Sequence, residues 1–331
     1  MGVMIEGKWT TDERLSALKH DEGRYQRDPS VIRHWVTPDG SPGPTGDGGF
    51  KAEAGRYHLF VAYNCPWAHR TLIFRILKEL EPLISVSIAL PRRSEDGWIF
   101  APEPGPNHDA LLGVHSLWQV YAQGHPGYTG RVTVPLLFDK VSGRAVNNES
   151  SDIIRMLNSA FDDVGANDQD YYPAALREEI DAYNERIYAN LNNGVYRAGF
   201  ADTQAAYEEA FDTVFETLDF LDERLANRRY LTGDRQTEAD WRLFPTLVRF
   251  DVAYHYAFKC NLRRLMDYTN LWPYTRDLYA TPGIAATVFP DLYKRGYFSL
   301  SERRNPLGIV PKGPIVDFNL PQDRQRLGAA A

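Results

Sequence analysis

The pattern of apolar and polar positions in the first half of the chain predicts a small sheet with helices beside it. Short apolar or alternating runs bounded by turn residues predict strands, and apolar residues repeating every three or four positions predict helices. In chain order we predict a strand over residues 56–63, a helix over 66–80, a strand over 84–90, strands over 132–139 and 144–147, and a helix capped by Asn148 to Asp152. The predicted order is therefore β-α-β-loop-β-β-α.

Two stretches of the first half contain many glycines and prolines and no clear periodicity. Residues 1–55, which include Thr37-Pro38-Asp39-Gly40, predict an extended arm with little regular structure. Residues 91–130 predict an irregular loop. So long a loop inside a compact domain is often functional.

The second half of the chain has the pattern of an all-helical domain, from Tyr172 to about Tyr293. The sequence Thr237-Glu238-Ala239-Asp240 is a variant capping box that opens one apolar helix. The apolar face of another helix consists of Phe211, Val214, Phe215, Leu218, Leu221 and Leu225. We therefore predict four segments: an N-terminal extended arm (1–55), an α/β domain (56–160), an all-helical C-terminal domain (170–300) and a C-terminal tail (301–331).

Composition narrows the class of protein. The 331 residues, at ~150 per domain, suggest about two domains. The net charge of −7 argues against nonspecific nucleic-acid binding, and no apolar run of ~18 residues predicts a membrane span. Cys65 and Cys260 are the only cysteines and cannot form a disulfide framework. His58, His69, His115, His125 and His255 lack ligand spacing, so we predict no metal site.

Cys65 is the residue with the clearest chemical potential. It precedes Pro66, a residue favoured at the first position of a helix, so Cys65 is predicted at the N-cap. The free N–H groups and the helix dipole favour a thiolate there, and the thiolate is the reactive form. The alternative is an inert buried thiol, the usual state of a free cysteine. Because Ala68 replaces the second cysteine of a Cys-x-x-Cys motif, an external thiol would have to resolve any mixed disulfide. A lone reactive thiol suits the reducing cytoplasm, where we expect the protein.

Several of these features together resemble the cytosolic glutathione transferases, namely Cys65, Val134-Pro135, Glu149-Ser150 and the Thr237 to Asp240 box. Finer motifs resemble the xi class, the glutathionyl-hydroquinone reductases, from about residue 30 to residue 314. They are Asn64-Cys65-Pro66-Trp67-Ala68-His69-Arg70, Asp96-Gly97-Trp98, Tyr128 to Pro135, Asn147 to Ser150, Leu191 to Tyr196 and Phe258 to Asn261. The resemblance implies a thioredoxin-like N-terminal domain, an all-α C-terminal domain and a homodimer. One departure is Tyr256-Ala257, where the family often has Gly-His.

The chemistry that the resemblance implies is reduction of a glutathionyl-hydroquinone by glutathione. Cys65 would attack the glutathionyl sulfur, and a second glutathione would resolve the mixed disulfide. Glutathione is then a co-substrate, and no tightly bound cofactor is expected. Tyr196 is implied as the proton donor to the ring, with Tyr254 and Tyr297 around the thiolate and the ring. A tyrosine packed between helices is the ordinary alternative for each.

The resemblance also implies a glutathione site. Ser150 at a helix start suits the γ-glutamyl carboxylate, and Glu149 suits the amine. The segment Arg131-Val132-Thr133-Val134 would bind the rest of the peptide, with the main chain of Val134 pairing the cysteinyl part and Arg131 a carboxylate. Trp98 would pack on the peptide. Their ordinary alternatives are a helix cap for Glu149-Ser150, a solvated charge for Arg131 and a loop anchor for Trp98.

Two other functions remain open at this point. An omega-like thiol transferase or dehydroascorbate reductase would use Cys65 without a ring-protonating tyrosine. A non-catalytic module of glutathione transferase fold would bind partners or aromatic ligands, and its Cys65 would have ordinary reactivity. A conjugating transferase is disfavoured, because it needs Ser or Tyr beside the glutathione thiolate, whereas Cys65 would form a disulfide.

Overall fold

The chain folds into two compact units. A computed structural model describes residues 2–92, 94–102, 106–109, 111–302 and 304–328. The first unit comprises Met1–Ala17 and Asp28–Gln169, and the second comprises Leu18–Arg27 and Asp170–Ala331. Parts of the predicted 91–130 loop and of the 301–331 tail, including the last three residues, lie outside the described residues.

The described strands have three to five residues each, and the α-helices range from three residues to the 21 of the longest. In chain order the strands are β1 (Val3–Ile5), β2 (Lys8–Thr10), β3 (Lys19–Asp21), β4 (Arg24–Gln26), β5 (Tyr57–Val61), β6 (Ser85–Ile88), β7 (Leu136–Asp139) and β8 (Arg144–Asn147). The α-helices are α1 (Glu13–Ser16), α2 (Pro66–Leu77), α3 (Leu117–Gly124), α4 (Ser150–Ser159), α5 (Arg177–Ile187), α6 (Gly194–Gly199), α7 (Gln204–Arg224), α8 (Glu238–Arg249), α9 (His255–Ala257), α10 (Leu271–Tyr279) and α11 (Pro290–Tyr297). Two π-helical turns cover Tyr188–Asn192 and Phe250–Tyr254.

A four-stranded mixed sheet forms the centre of the first unit, in the order β6-β5-β7-β8. Strand β5 is parallel to β6 and antiparallel to β7, and β7 is antiparallel to β8. Every residue of β5 is buried, as expected for a central strand covered on both faces. All four strands lie within the predicted spans, so the α/β prediction for this part of the chain is confirmed.

Helix α2 begins where the sequence predicts and ends earlier. Cys65 is its N-cap and Pro66 its first residue. The helix ends at Leu77 rather than at residue 80, because Glu79 has a left-handed φ of 56°, which an α-helix cannot include. Helix α2 packs against α4, which begins directly after β8. The start of α2 and the start of α4 are the two helix N-termini that matter for the site.

The prediction of an irregular loop over 91–130 is wrong for helix α3. Ser116 and Gln119 form a complete capping box, and Leu117, Val120 and Tyr121 are buried at helical spacing. The element order is therefore β-α-β-α-β-β-α. The signal was present as Ser-x-x-Gln, but the surrounding glycines and prolines concealed it.

The prediction of an arm with little regular structure is wrong for residues 3–26, which form two antiparallel hairpins with a short helix between them, and it is confirmed for residues 27–55, where the structure has no helix or strand. Strand β1 pairs with β2, and β3 pairs with β4. Each turn is a Glu-Gly pair with positive φ at both residues, 49° and 78° at Glu6-Gly7 and 48° and 82° at Glu22-Gly23. Such turns match the twist of a hairpin, but Asn-Gly or Asp-Gly is their usual signature. The first hairpin belongs to the first unit and the second hairpin to the second, so the arm is not a separate segment.

The second unit is helical, as predicted. Val214, Phe215, Leu218 and Leu221 form the buried face of α7, and Leu225, which follows the helix, is buried too. Thr237 caps α8 through the predicted box with Asp240. The tail is packed onto this unit in part by Lys294, whose Nζ donates to the carbonyl oxygens of Lys312 and Pro314. Among the described helices none has the length and apolar character needed to cross a membrane.

Candidate functional site

The thiol of Cys65 lies at the beginning of α2, next to the segment that precedes β7. Its backbone is extended, with φ −82° and ψ 120°, and its carbonyl oxygen accepts the first bond of the helix from the N–H of His69 at 3.0 Å. The Sγ donates to the carbonyl oxygen of Val134 at 3.4 Å. Only 9% of the residue is exposed, and its side chain makes no cap hydrogen bond to the first N–H groups of the helix. The position at a helix N-terminus is one where the helix dipole favours a negative charge.

The segment from Arg131 to Val134 is fixed by tyrosine hydroxyls. Tyr121, on the unpredicted helix α3, donates to the carbonyl oxygen of Thr133 at 2.8 Å, and Tyr128 donates to that of Arg131 at 2.8 Å. Val132 and Val134 are buried and Thr133 is half-buried. The peptide bond between Val134 and Pro135 is cis. The main chain of Val134 is thus held beside the sulfur, where the sequence predicts that it pairs an extended peptide.

Glu149 and Ser150 occupy the N-terminus of α4. The Glu149 carboxylate accepts bonds from the N–H and Oγ of Ser151 at 3.1 and 3.0 Å and from the Oγ of Ser30 at 3.0 Å. Burial opposes its ionisation, but these bonds and the charge of Arg70 outweigh burial and lower the pKa of Glu149. The Nη1 of Arg70 also donates to the Oγ of Ser150 at 3.4 Å. An ionised carboxylate and the N-terminus of a helix therefore lie side by side, which suits an ammonium and a carboxylate of one ligand.

Arg131 and Trp98 are each held within the first unit. The Nε of Arg131 lies 3.3 Å from the carboxylate of Asp28, and its Nη2 donates to the carbonyl oxygen of Ala17 at 2.6 Å. Trp98 is 2% exposed, and its carbonyl oxygen accepts from the N–H of Leu117. Trp98 therefore anchors the loop that leads into α3, which is the ordinary role considered for it.

The three predicted tyrosines converge in the second unit. Tyr196 is on α6, Tyr254 ends a π-helical turn and Tyr297 ends α11. The hydroxyl oxygen of Tyr297 lies 2.6 Å from that of Tyr196 and 3.2 Å from that of Tyr254. Burial raises the pKa of both Tyr254 and Tyr297 well above the usual value, so their hydroxyls keep their protons. The sequence could not show this convergence.

The departure at Tyr256-Ala257 also lies in the second unit. The Tyr256 ring is 69% exposed and stacks on Phe298 at 5.5 Å between ring centres. Both residues line a surface cavity of about 370 Å³ together with His255 and Arg264. The departure from the family pattern therefore lies on an exposed surface, two positions along the chain from Tyr254.

Sequence analysis assigned no role to two residues that support the first-unit site, Tyr121 and Arg70. Tyr121 was missed because α3 was missed. Arg70 is part of the Cys65 motif, and a charged residue at a buried position of an apolar helix is a signal in itself. Arg70 is 2% exposed, and its guanidinium carbon lies 4.6 Å from the centre of the Trp67 ring.

Comparison with known proteins establishes the class. The family model "Glutathione S-transferase, N-terminal domain" matches residues 64–160, and "Glutathione S-transferase, C-terminal domain" matches residues 204–277. These two matches define a glutathione transferase. The four-stranded sheet and cysteine-capped helix of the first unit and the helices of the second unit agree with this class.

Individual relatives place the chain within that class. It is 50% identical over 325 residues to glutathionyl-hydroquinone reductase YqjG of Escherichia coli (strain K12), covering 98% of each protein. It is 51% identical over 314 residues to glutathionyl-hydroquinone reductase PcpF of Sphingobium chlorophenolicum, covering 95% of this chain and 96% of that protein. The chain belongs to the glutathionyl-hydroquinone reductases, the xi class of glutathione transferases, and it is an enzyme.

Solved structures agree. The glutathione-bound structure of YqjG from Escherichia coli K-12 superposes with a TM-score of 0.87 at 52% identity, covering 89% of this chain and 96% of that one. The xi-class transferase of Natrialba magadii superposes with a TM-score of 0.88 at 44% identity, covering 98% and 97%. The resemblance inferred from sequence motifs is confirmed, and the non-catalytic alternative is set aside.

Proposed function

We propose that the protein reduces glutathionyl-hydroquinones to hydroquinones, with glutathione as the reductant. The observation that carries the proposal is the position of Cys65, at the N-cap of α2 with its Sγ 3.4 Å from the carbonyl oxygen of Val134. A peptide thiol or thioether paired along Val134 would bring its sulfur next to the nucleophile. The names of the relatives YqjG and PcpF support the same reaction.

The reaction balances in two steps. In the first, the Cys65 thiolate attacks the glutathionyl sulfur, an S–S bond forms, and the bond between that sulfur and the ring carbon breaks. The electron pair goes to the ring carbon, which takes a proton and leaves as the hydroquinone. In the second, a glutathione thiolate attacks the mixed disulfide, releases glutathione disulfide and regenerates the Cys65 thiolate. One glutathione is consumed for each ring reduced.

The proposal assigns the binding of glutathione to first-unit residues. Glu149, kept ionised by its hydrogen bonds, takes the γ-glutamyl ammonium, and the N-terminus of α4 at Ser150 takes its carboxylate. The main chain of Val134 takes the cysteinyl part, following Val132 and Thr133. Arg131 would take a carboxylate in place of Asp28, and Trp98 would support the peptide from its buried position.

The proton for the ring is assigned to the tyrosine trio of Tyr196, Tyr254 and Tyr297, with Tyr196 as the donor. Loss of the Tyr196 proton would be stabilised by the O–H of Tyr297, whose oxygen lies 2.6 Å from that of Tyr196. This assignment rests on the family resemblance and on the convergence of the three hydroxyls.

The other cysteine does not compete for this chemistry. Cys260 is buried, and burial raises the pKa of its thiol to about 12. It therefore stays protonated and unreactive at neutral pH. With Ala68 in place of a resolving cysteine, the mixed disulfide on Cys65 waits for an external glutathione.

The testing experiment is turnover of glutathionyl-menadiol with excess glutathione, followed by chromatography of the released hydroquinone. We expect release by the wild-type protein and none by Cys65→Ser, because a serine alkoxide is not available at neutral pH. Cys260→Ser is the matched control and should keep wild-type turnover. Full activity of Cys65→Ser would overturn the proposal.

A second candidate is omega-like thiol transfer, favoured by the 39% identity over 302 residues to glutathione S-transferase omega-like 2 of Schizosaccharomyces pombe. It needs the N-cap cysteine and the glutathione site but no proton donor to a ring. Wild-type protein that exchanges disulfides yet releases no hydroquinone would favour this candidate.

The proposal also includes a homodimer, which the family resemblance implies, and a cytoplasmic location, which suits a lone reactive thiol. Sedimentation equilibrium should give a mass of about twice the 37.7 kDa of one chain. A single-chain mass at micromolar concentration would contradict the dimer.

A further inference from the structure

The second hairpin brings a cation onto the tyrosine trio. Arg27 follows directly after β4, and its guanidinium carbon lies 4.9 Å from the centre of the Tyr196 ring. Arg27, Tyr196 and both strands of the hairpin belong to the second unit. The arm was expected to be irregular, so no role was assigned to Arg27 from the sequence.

Two further contacts fix the guanidinium in this place. The Nε of Arg27 donates to the Oδ1 of Asn193 at 2.8 Å, and Asn193 is the N-cap of α6, three residues before Tyr196. The guanidinium carbon is also 5.9 Å from the centre of the Tyr25 ring. Arg27 is half-buried, so its charge is partly shielded from water. The cation therefore has a defined position over the ring.

A cation over the face of a phenol is attracted to the ring and more strongly to the phenolate. Loss of the Tyr196 proton is thus favoured by the charge of Arg27 as well as by the hydroxyl of Tyr297, 2.6 Å away. We propose that Arg27 is a positioning residue for ring protonation, because its charge over Tyr196 makes that tyrosine a stronger acid. The inference rests on the proposed function, in which Tyr196 gives its proton to the ring.

Three substitutions separate the charge of Arg27 from its hydrogen bond. Arg27→Lys keeps a positive charge, Arg27→Gln keeps a donor for Asn193 without the charge, and Arg27→Met keeps neither. Arg304 offers a matched control, because its guanidinium carbon lies 4.5 Å from the centre of the Phe200 ring, in the same aromatic cluster, and 5.9 Å from that of Phe258. Neither of those rings has a proton to give.

The experiment measures two reactions of each full-length variant. One is hydroquinone release from glutathionyl-menadiol at saturating glutathione. The other is exchange of glutathione with hydroxyethyl disulfide, which uses Cys65 but protonates no ring. We expect Arg27→Gln and Arg27→Met to lower kcat for hydroquinone release about three- to fivefold and to leave disulfide exchange unchanged. Arg27→Lys should stay within about twofold of wild type, and Arg304→Gln should change neither reaction.

Coupling to Tyr196 completes the test. In a Tyr196→Phe background, Arg27→Gln should cause no further loss of hydroquinone release, because the group on which the charge acts is gone. If Arg27→Gln matches wild type while Arg27→Lys is slow, the hydrogen bond to Asn193 is what matters and the inference is overturned. Equal losses in both reactions would show a structural role and overturn it too.

The inference and the proposed function fail in different ways. If Tyr196→Phe strongly lowers hydroquinone release while Arg27→Gln alone keeps the wild-type rate, only the inference about Arg27 is lost. If Tyr196→Phe releases hydroquinone at the wild-type rate, the assignment of the proton donor is lost, and the role of Arg27 with it. Should Arg27→Met fail to fold, the Lys and Gln variants alone decide the outcome.

Discussion

The hydroxyl oxygen of Tyr196 lies 2.6 Å from that of Tyr297. The hydroxyl oxygen of Tyr297 in turn lies 3.2 Å from that of Tyr254. Three phenols so arranged form a cluster in which each O–H can support a negative charge on a neighbour. The Tyr297 hydroxyl contacts both of the others, whereas Tyr196 is the proposed proton donor to the substrate. The two positions should therefore differ in what they contribute to ring reduction.

Tyr196→Phe should lower kcat for hydroquinone release by about 10²- to 10⁴-fold, the usual contribution of a general acid. Tyr297→Phe should cost less, about tenfold, because it removes one supporting hydrogen bond of roughly 1.5 kcal/mol. Disulfide exchange at Cys65 should be spared in both. Tyr207→Phe is a matched control, since its hydroxyl donates to the carbonyl oxygen of Lys259 instead. Equal rates for Tyr196→Phe and wild type would contradict the prediction.

Glu149→Gln should raise the KM for glutathione by about ten- to hundredfold, the loss of one charged hydrogen bond, with little effect on kcat. The pKa of Glu149 is lowered from its usual 4.5, so the carboxylate acts fully above that value and its contribution is lost as pH falls through the lowered pKa. Ionisation of Glu149 should therefore cause no change in the wild-type KM for glutathione between pH 7 and about 5. Glu149→Asp, which keeps the charge, should lose less. If Glu149→Gln has the wild-type KM for glutathione, Glu149 does not bind the ligand and the prediction is wrong.

The pH dependence of stability should include a contribution from His58, which lies between the Oγ atoms of Ser85 and Ser87 at 2.7 and 2.9 Å. Burial, opposed in part by Asp109, lowers its pKa from 6.5 to about 4. The unfolded chain therefore takes up the proton first as pH falls. The free energy of unfolding should drop by up to about 3 kcal/mol between pH 6.5 and 4, and the stability is fully present above pH 6.5.

Denaturant unfolding at several pH values, with His58→Gln as the variant, measures that contribution. The slope between pH 6.5 and 4 should flatten in His58→Gln, because glutamine takes no proton. His115→Gln is the control, since the His115 side chain is 56% exposed, and it should leave the slope as it is. An unchanged slope in His58→Gln would assign the acid sensitivity to other groups.

Trp9 joins the first hairpin to the loop that carries Trp98. Its Nε1 donates to the carbonyl oxygen of Glu95 at 3.2 Å, its ring stacks on Trp118 of α3 at 6.3 Å, and a Cβ on Gly97 would come within 3.0 Å of it. Trp9→Ala should lower the free energy of unfolding by about 2 kcal/mol and raise the KM for glutathione. Trp35→Ala, whose indole bonds to Thr45 within the arm, should leave that KM unchanged. Equal KM values for Trp9→Ala and Trp35→Ala would show that the first hairpin does not affect glutathione binding.

Sequence reasoning succeeded where one short segment decides the structure. The strand before Cys65, the N-cap itself and the box at Thr237 follow from local spacing and helix termini. It failed at β1 to β4, because three-residue strands hold too few positions to show alternation and their Glu-Gly turns are weak signals. It failed at α3, where a visible capping box was outweighed by nearby glycines.

The tyrosine trio shows a different limit. Tyr196 and Tyr297 are 101 positions apart, and their hydroxyls meet because α6 and α11 carry them to one place. No spacing rule predicts such a meeting, so only the family resemblance pointed to these residues. Arg27 had neither a spacing nor a motif to mark it, because its position depends on the second hairpin.

The discontinuous second unit has a consequence for protein engineering. The chain passes through it once as Leu18–Arg27 and again from Asp170 onward, so a single crossover near residue 170 does not separate the two units. A chimera of two relatives made at that point would combine the tyrosines of one parent with the Arg27 hairpin of the other. Exchanging intact units takes three junctions, near residues 17, 28 and 170, and only such chimeras would report which unit sets substrate preference.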